Sequence, residues 1–175
     1  ALVRSKKACL NLKKFIQEHN IQDVEVINCD YSDLSYLKRI VSSCRYLVHL
    51  IGIIKETRTN SYTSVHNEIT QTLLQALKGS RVEKICYLSI LGAKKDSNNK
   101  CLVSRGYCER LFLDSGIPAL ILQVPMILGE GDYASRSLKK NALSKLNFTF
   151  RKKSLEQPIY AGDVIQTIKN DINKQ

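Results

Sequence analysis

GIPALILQVPMILGEGDYASRSLKK, Gly116–Lys140, decides the fold. Gly116 and Pro118 punctuate the entry to a strand at Ala119–Gln123. A glycine-and-aspartate turn follows at Gly129–Asp132. Beyond a short gap, SLEQPIYAGDV (Ser154–Val164) opens a last helix. The rest of the chain can be placed around this strand, turn and helix.

Upstream, apolar runs of strand length alternate with segments of helical period. Ala1–Val3 reads as the tail of a strand, with Arg4 at its end. Lys6–His19 has helical spacing anchored by Leu10, Leu12 and Phe15, and Val24–Asn28 is a short β-branched strand. Asp30 and Asp33 bracket a turn, after which SDLSYLKRIVSSC carries a capping-type start and helical period. Tyr46–Ile51 is a continuous apolar run ended by Gly52, as in a buried parallel strand. Val65, Ile69, Leu73 and Leu77 recur every four residues and predict a long helix over Tyr62–Lys78, stopped before Gly79. Lys84–Leu88 is the next strand, and the polar loop KKDSNNK precedes a helix over Lys100–Asp114. This alternation predicts an α/β fold, a doubly wound, mostly parallel sheet with right-handed crossovers and helices on both faces. No repeat, low-complexity segment or linker interrupts it. One domain is expected over 1–175, with a sheet–helix core at 1–132 and a substrate-side segment with the last helix at 133–175.

The 27 basic and 16 acidic residues leave a net charge of +11. Such a balance invites a nucleic-acid reading. The cations are scattered, however, in Lys6-Lys7, Lys13-Lys14, Lys94-Lys95, Lys139-Lys140 and Arg151-Lys152-Lys153. No helix-turn-helix or RNA-binding aromatic pattern lies between them, so nucleic acid is not the expected partner. The same field favours an anionic cofactor or substrate. Six cysteines without CxxC pairs or zinc-type spacing read as reduced thiols, with no metal expected. No apolar run approaches the roughly 18 residues that span a bilayer, and the opening ALVRSKKACLNLKK lacks a signal-peptide core. A cytoplasmic protein without a membrane partner is therefore expected. The chain begins without Met and reads as processed, trimmed or a fragment.

Together these segments resemble the atypical or extended short-chain dehydrogenases/reductases, NAD(P)-binding Rossmann proteins with NmrA-like and nucleoside-diphosphate-sugar epimerase-like branches. The resemblance runs from Arg4 to about Ile172 and is most specific in the second half, in CYLSILGA, CLVSRGYCERL, QVPMILGEGDY and QPIYAGDV. It implies NADP or NAD as cofactor and a small-molecule or nucleotide-sugar-like substrate. By the same resemblance Arg4 faces the adenosine 2′-phosphate, which a guanidinium binds through paired bonds, so NADP is favoured. Asp30 in NCDYSDL stands beside the adenine amino group, and Asp33 caps the helix. Leu50, Ile51 and Gly52 form the small-residue passage under the cofactor, where glycine allows close approach. Asn67, in VHNEIT, matches an Asn that relatives often carry. Gln123 and Pro125 close the cofactor side, Gln123 standing where many relatives have Arg. Gly131, Asp132 and Arg136 lie at the substrate mouth, and Asp163 caps the last helix.

The family's active site is a Ser or Thr after one strand, then a Tyr and a Lys four residues apart. That spacing puts both on one helix face, where the ammonium can lower the phenol's pKa and the phenol can act as acid or base. Ser89 stands at the hydroxyl position. Ser104 and Glu109 match the helix pattern, but Cys101 occupies the Tyr position and Arg105 the Lys position. Arg is a fixed charge, and a Cys beside it is a candidate low-pKa thiol. Loss of the standard catalytic machinery is expected, with Ser89, Cys101 and Arg105 as the remaining candidates. A non-catalytic regulator or scaffold, like the NmrA-like proteins or the related respiratory complex I accessory subunit, is the alternative to an oxidoreductase or epimerase.

No G-x-x-G-x-x-G occurs among the eight glycines. The family carries it on a first strand–helix unit, where it cradles the diphosphate. Without that central strand two edges of the sheet are left unpaired. Three explanations are open: the chain is incomplete at its N-terminus, a second copy or partner chain supplies the strand, or this is a decayed or repurposed paralogue with a rearranged sheet.

Overall fold

The computed structural model describes residues 1–145 and 157–174; the basic Arg151–Lys153 and the Ser154–Glu156 part of the last segment lie outside the described residues. The chain opens with β1 (Leu2–Val3), α1 (Lys6–Glu18) and β2 (Ile27–Asn28), then α2 (Leu34–Val41) and β3 (Tyr46–His49). A π-helical stretch, Thr63–Glu68, runs into α3 (Ile69–Leu77), followed by β4 (Lys84–Ile90), α4 (Lys100–Leu113) and β5 (Ala119–Val124). The last part holds β6 (Ile127–Leu128), α5 (Tyr133–Ala142), β7 (Ile159–Tyr160) and α6 (Ala161–Asn173).

All strand pairs are parallel, and they fall into three pieces: β1 with β2, β3–β4–β5, and β6 with β7. β4 is the centre. It lies between Tyr46–His49 on one side and Ala119–Val124 on the other, and Ile85, Cys86 and Tyr87 are all buried. That burial on both faces accounts for its continuous apolar sequence. Successive side chains on a strand point to opposite faces. Tyr87 packs on Phe112 of α4, whereas Lys84, an odd number of residues away, bonds Asp171 of α6 at 3.3 Å. The sheet is therefore covered on both faces, as doubly winding requires. Leu37, Val41, Leu73, Leu77, Ile85, Tyr87 and Phe112 make the core between the sheet and α2, α3 and α4. Burying a side chain the size of Phe112 stabilises the fold by about 1.5–3 kcal/mol.

β1 and β3 are not hydrogen-bonded to each other, so the sheet is open between them. Here the parallel order β2-β1, gap, β3-β4-β5 is that of a Rossmann sheet without its first strand. The open edge has visible effects. Val48 on β3 is 42% exposed and Leu50 just beyond it 62%, while neighbouring His49 on the opposite face is buried. The Val24–Asn28 run pairs only over Ile27–Asn28, because β1 offers it a two-residue partner. In α1 the expected anchors Leu10 and Phe15 are exposed, and Cys9 is the buried residue instead. The long helix expected over Tyr62–Lys78 begins as the π-helical stretch, a wider turn that recurs at functional sites. Asp33 caps α2 as read from sequence, accepting from the Tyr36 N–H at 2.9 Å. Asp163 does not cap α6: Tyr160 holds the N-cap position and Asp163 lies in the first turn.

Candidate functional site

Two strand ends and the first turns of α4 build the site. Asn99 caps α4 through the Cys101 N–H, and Gly106 lets the helix sit against the 94–97 loop. A Cβ at Gly106 would meet the Lys94 backbone at 2.7 Å. This pins Cys101 and Arg105, one turn apart, beneath the carboxyl ends of β3 and β4, where doubly wound proteins bind ligands.

Arg105 is only 7% exposed. Its Nη1 donates to the Ile51 carbonyl (3.2 Å), the Tyr87 hydroxyl (3.1 Å) and the Leu88 carbonyl (3.4 Å). One guanidinium nitrogen thus ties the end of β3 to the end of β4. Its Nε is buried without a partner, and Arg105 makes no ion pair among the described residues. The guanidinium lies against Gly52 so closely that a Cβ there would come within 1.8 Å of Nη2. Gly52 is therefore required by Arg105 itself.

The uncompensated cation sets the chemistry of its surroundings. His49 is buried between Tyr87 and Phe112, at ring distances of 5.4 and 5.3 Å. Burial first, then the Arg105 charge, then His66 push its pKa down to about 3. Burial and then the Arg105 charge hold the His66 pKa down at about 4, and the Ile53 N–H points at the neutral ring. His66 Nε2 accepts that Ile53 N–H at 2.9 Å, so Nδ1 carries the proton and donates to Ser104 Oγ at 2.7 Å. Ser104 in turn donates to the Cys101 carbonyl at 2.9 Å. The serine proton is committed to a backbone oxygen, and the pair acts as a lock joining the 51–53 loop, the π-helical stretch and α4.

Cys101 is buried, with Sγ facing the Ile53 carbonyl at 3.8 Å. The Tyr62 phenol lies beside it and donates to the Ile54 carbonyl at 2.8 Å; burial and then the Cys101 thiol hold its pKa above the usual range. Ser89, 1% exposed, donates to the Glu109 carboxylate. Gln123, its register partner on β5, donates to both Glu109 oxygens at 3.0 and 2.9 Å and to the Ala93 carbonyl at 3.0 Å. Ser89 and Gln123 therefore meet through Glu109, apart from the Arg105 cluster. Pro125 follows β5, half-buried.

The remaining candidates flank the open crevice. Arg4 is exposed at the end of β1 and donates to Asn60 Oδ1 at 3.0 Å. Exposed Asp30 accepts from the Ser32 N–H and hydroxyl, which lower its pKa. Leu50 and Gly52 are also exposed, just after β3. Asn67 accepts from the Cys108 thiol at 3.8 Å and lines a cavity of about 490 Å³ with Glu56, Tyr62, Lys100, Ser104 and Tyr107. A second cavity of about 520 Å³ is lined by Gly129, Gly131, Arg136, Lys139 and Tyr160. Asp132 accepts from the Ser135 N–H and hydroxyl and the Gly129 N–H, which lower its pKa to about 2, so it caps α5. Tyr87, His66 and Gly106 were not legible in advance: each acts through a partner distant in sequence.

Among solved structures, the chain is similar to UDP-glucuronic acid 4-epimerase from Bacillus cereus, determined with UDP-glucuronic acid and NAD. The likeness covers 95% of this chain and 62% of that one at 19% identity, with a TM-score of 0.75. Bordetella bronchiseptica WbmG, determined with NAD, matches over 86% of this chain and 54% of its own at 11% identity and a TM-score of 0.67. The anaerobillin reductase ChuY of Escherichia coli O157:H7 matches over 99% and 77% at 13% identity, with a TM-score of 0.64. The chain spans less than two thirds of the epimerase and WbmG chains. No protein-family model matches the sequence, and no curated protein does either. The fold is thus the parallel Rossmann-type sheet of these epimerase and reductase structures, with no strand between β1 and β3 among the described residues.

The described residues match a dinucleotide unevenly. Arg4 and Asp30, expected from the resemblance to face the adenosine, are exposed just after β1 and β2. A glycine-rich cradle for the diphosphate is not among the residues of the chain, and the space under Gly52 is filled by Arg105.

Proposed function

We propose that this chain is the sheet-and-helix part of an NAD(P)-binding protein of the short-chain dehydrogenase type whose catalytic positions serve structure, acting as a dinucleotide-binding regulator or scaffold subunit. The observation that carries this reading is the burial of Arg105, with Nη1 spent on Ile51, Tyr87 and Leu88. With Nη1 engaged this way and Cys101 buried beside it, neither position is left as the proton donor that carbonyl chemistry needs. Binding of the diphosphate requires a complementing strand–helix unit in the gap between β1 and β3, from elsewhere in the protein, a second copy or a partner chain. The bound NAD of the epimerase and WbmG structures supports the choice of ligand.

A second reading, an oxidoreductase or epimerase acting on a small or nucleotide-sugar-like substrate, is favoured by the cavity at Gly129–Arg136 with its cations Arg136 and Lys139. Calorimetric titration with NADP and NAD separates the two, run on the chain alone and on the chain fused to a glycine-loop strand–helix unit. The chain alone should bind weakly or not at all. The fusion should bind, with NADP preferred by about tenfold or more and the preference lost in Arg4→Ala. It should not oxidise NADPH with any of a panel of carbonyl compounds. Turnover in that assay would establish the second reading, and tight binding by the chain alone would overturn the requirement for the missing unit.

A further inference from the structure

We propose that Arg105 and Gly52 form an oxyanion subsite at the carboxyl ends of β3 and β4, taking a phosphate or carboxylate group. A buried guanidinium normally has an acidic partner, because removing a charge from water is costly unless it is paired. Arg105 has none among the described residues. All three of its bonds come from Nη1 and go to neutral oxygens, and Nε is buried with no partner. These bonds and the Tyr87 ring, 5.8 Å from Cζ, fix the guanidinium while leaving Nη2 without a hydrogen bond and the charge without a carboxylate among the described residues.

The surroundings supply no alternative counter-ion. His49 and His66 lie near the guanidinium on β3 and the π-helical stretch, and burial, then the Arg105 charge, keeps both imidazoles neutral. Glu109, one turn further along α4, is engaged by Ser89 and Gln123. On the outer side, Nη2 lies against exposed Gly52, where any side chain would collide with it. The bare glycine is thus both the condition for the cation's position and the thinnest wall between it and the crevice. A planar or tetrahedral oxyanion at that wall would receive charge-assisted bonds from Nη2 and neutralise the buried cation. The subsite uses neither Arg4 nor Asp30, and because Gly52 also borders the expected cofactor passage, small anions rather than a dinucleotide are the probes that isolate it.

The test is titration of the isotopically labelled 175-residue chain with inorganic phosphate, with acetate, and with sodium chloride at matched ionic strength. The reporters are the Gly52 amide and Arg105 Nε–H resonances. Saturable shifts at both, at millimolar concentrations of phosphate or acetate and not of chloride, are expected. Comparing the two ligands tells whether the site prefers a phosphate or a carboxylate. Arg105→Met and Gly52→Ala should each weaken the effect by about tenfold or more. Should either variant fail to fold, the wild-type titration still decides. Absence of shifts at Gly52 and Arg105, or shifts reproduced by chloride, would overturn the proposal. NADP titrated into the fusion protein is the separate arm. Phosphate saturation without NADP binding sinks the proposed function alone, and NADP binding without anion-dependent shifts sinks the subsite alone.

Discussion

The two edges of β3 have opposite fates. Toward β4 it is paired over four residues, backed by Tyr87 and Phe112 and clamped by Arg105. Toward β1 it is unpaired, and on one face beside that edge Val48 and Leu50 are 42% and 62% exposed. The same apolar sequence, Tyr46–Ile51, serves both edges. Strand-forming residues thus specify a strand, while the number of neighbours it gets is decided by what the rest of the assembly brings. The closed side carries the stability, and the open side has the geometry of a place to be filled.

The largest expected effect lies on the closed side. Phe112→Ala should destabilise the chain by about 3–5 kcal/mol in denaturant unfolding, because the ring is fully buried between His49 and Tyr87. Val48→Ala, on the open face, should cost less than about 1 kcal/mol. Equal losses would break the comparison.

The clamp comes next. Gly52→Ala should cost about 1–3 kcal/mol, since its methyl would overlap the Arg105 guanidinium. In the Arg105→Ala background that penalty should largely vanish, giving a coupling energy of about 0.5–3 kcal/mol in a double-mutant cycle. Additive effects would mean that Gly52 is needed for its own backbone.

A smaller effect concerns pH. His49 and His66 have folded pKa values of about 3 and about 4, depressed below the usual histidine value. The unfolded chain takes up protons near pH 6.5 that the folded chain refuses until much lower pH. Stability should therefore be flat above about pH 6.5 and fall as pH drops from there toward 4. Replacing His49 with Phe, which suits its aromatic neighbours, should remove about half of this slope when unfolding is followed across that range, the His66 share remaining. An unchanged slope would show that His49 does not contribute.

Amide exchange should show the contrast without mutation. Amides of β4 and β5 should exchange near the global limit, and those of β1 and β2 by local opening, orders of magnitude faster. Adding a complementing strand–helix unit should slow β1 and β3 selectively; slowing confined to β4 and β5 would place the unit elsewhere.

The sequence by itself determined the fold class. Apolar runs such as Lys84–Leu88 and Ala119–Gln123, alternating with helical periods, require parallel strands covered on both faces, because only that arrangement hides a continuous apolar strand. It also set Cys101 and Arg105 four residues apart, where the resemblance expects a Tyr and a Lys, and it contains no glycine-rich loop. What those replacements do was decided by the tertiary structure. Arg105 meets Ile51, Gly52 and Tyr87 across spans of chain with no local periodicity, and His66 meets Ser104 at 38 residues' separation. Local sequence sets which face a side chain occupies. Only the packing of β3, β4 and α4 together sets which polar groups are buried at one point, and so whether a charged residue becomes a catalyst, a clamp or an anion's partner.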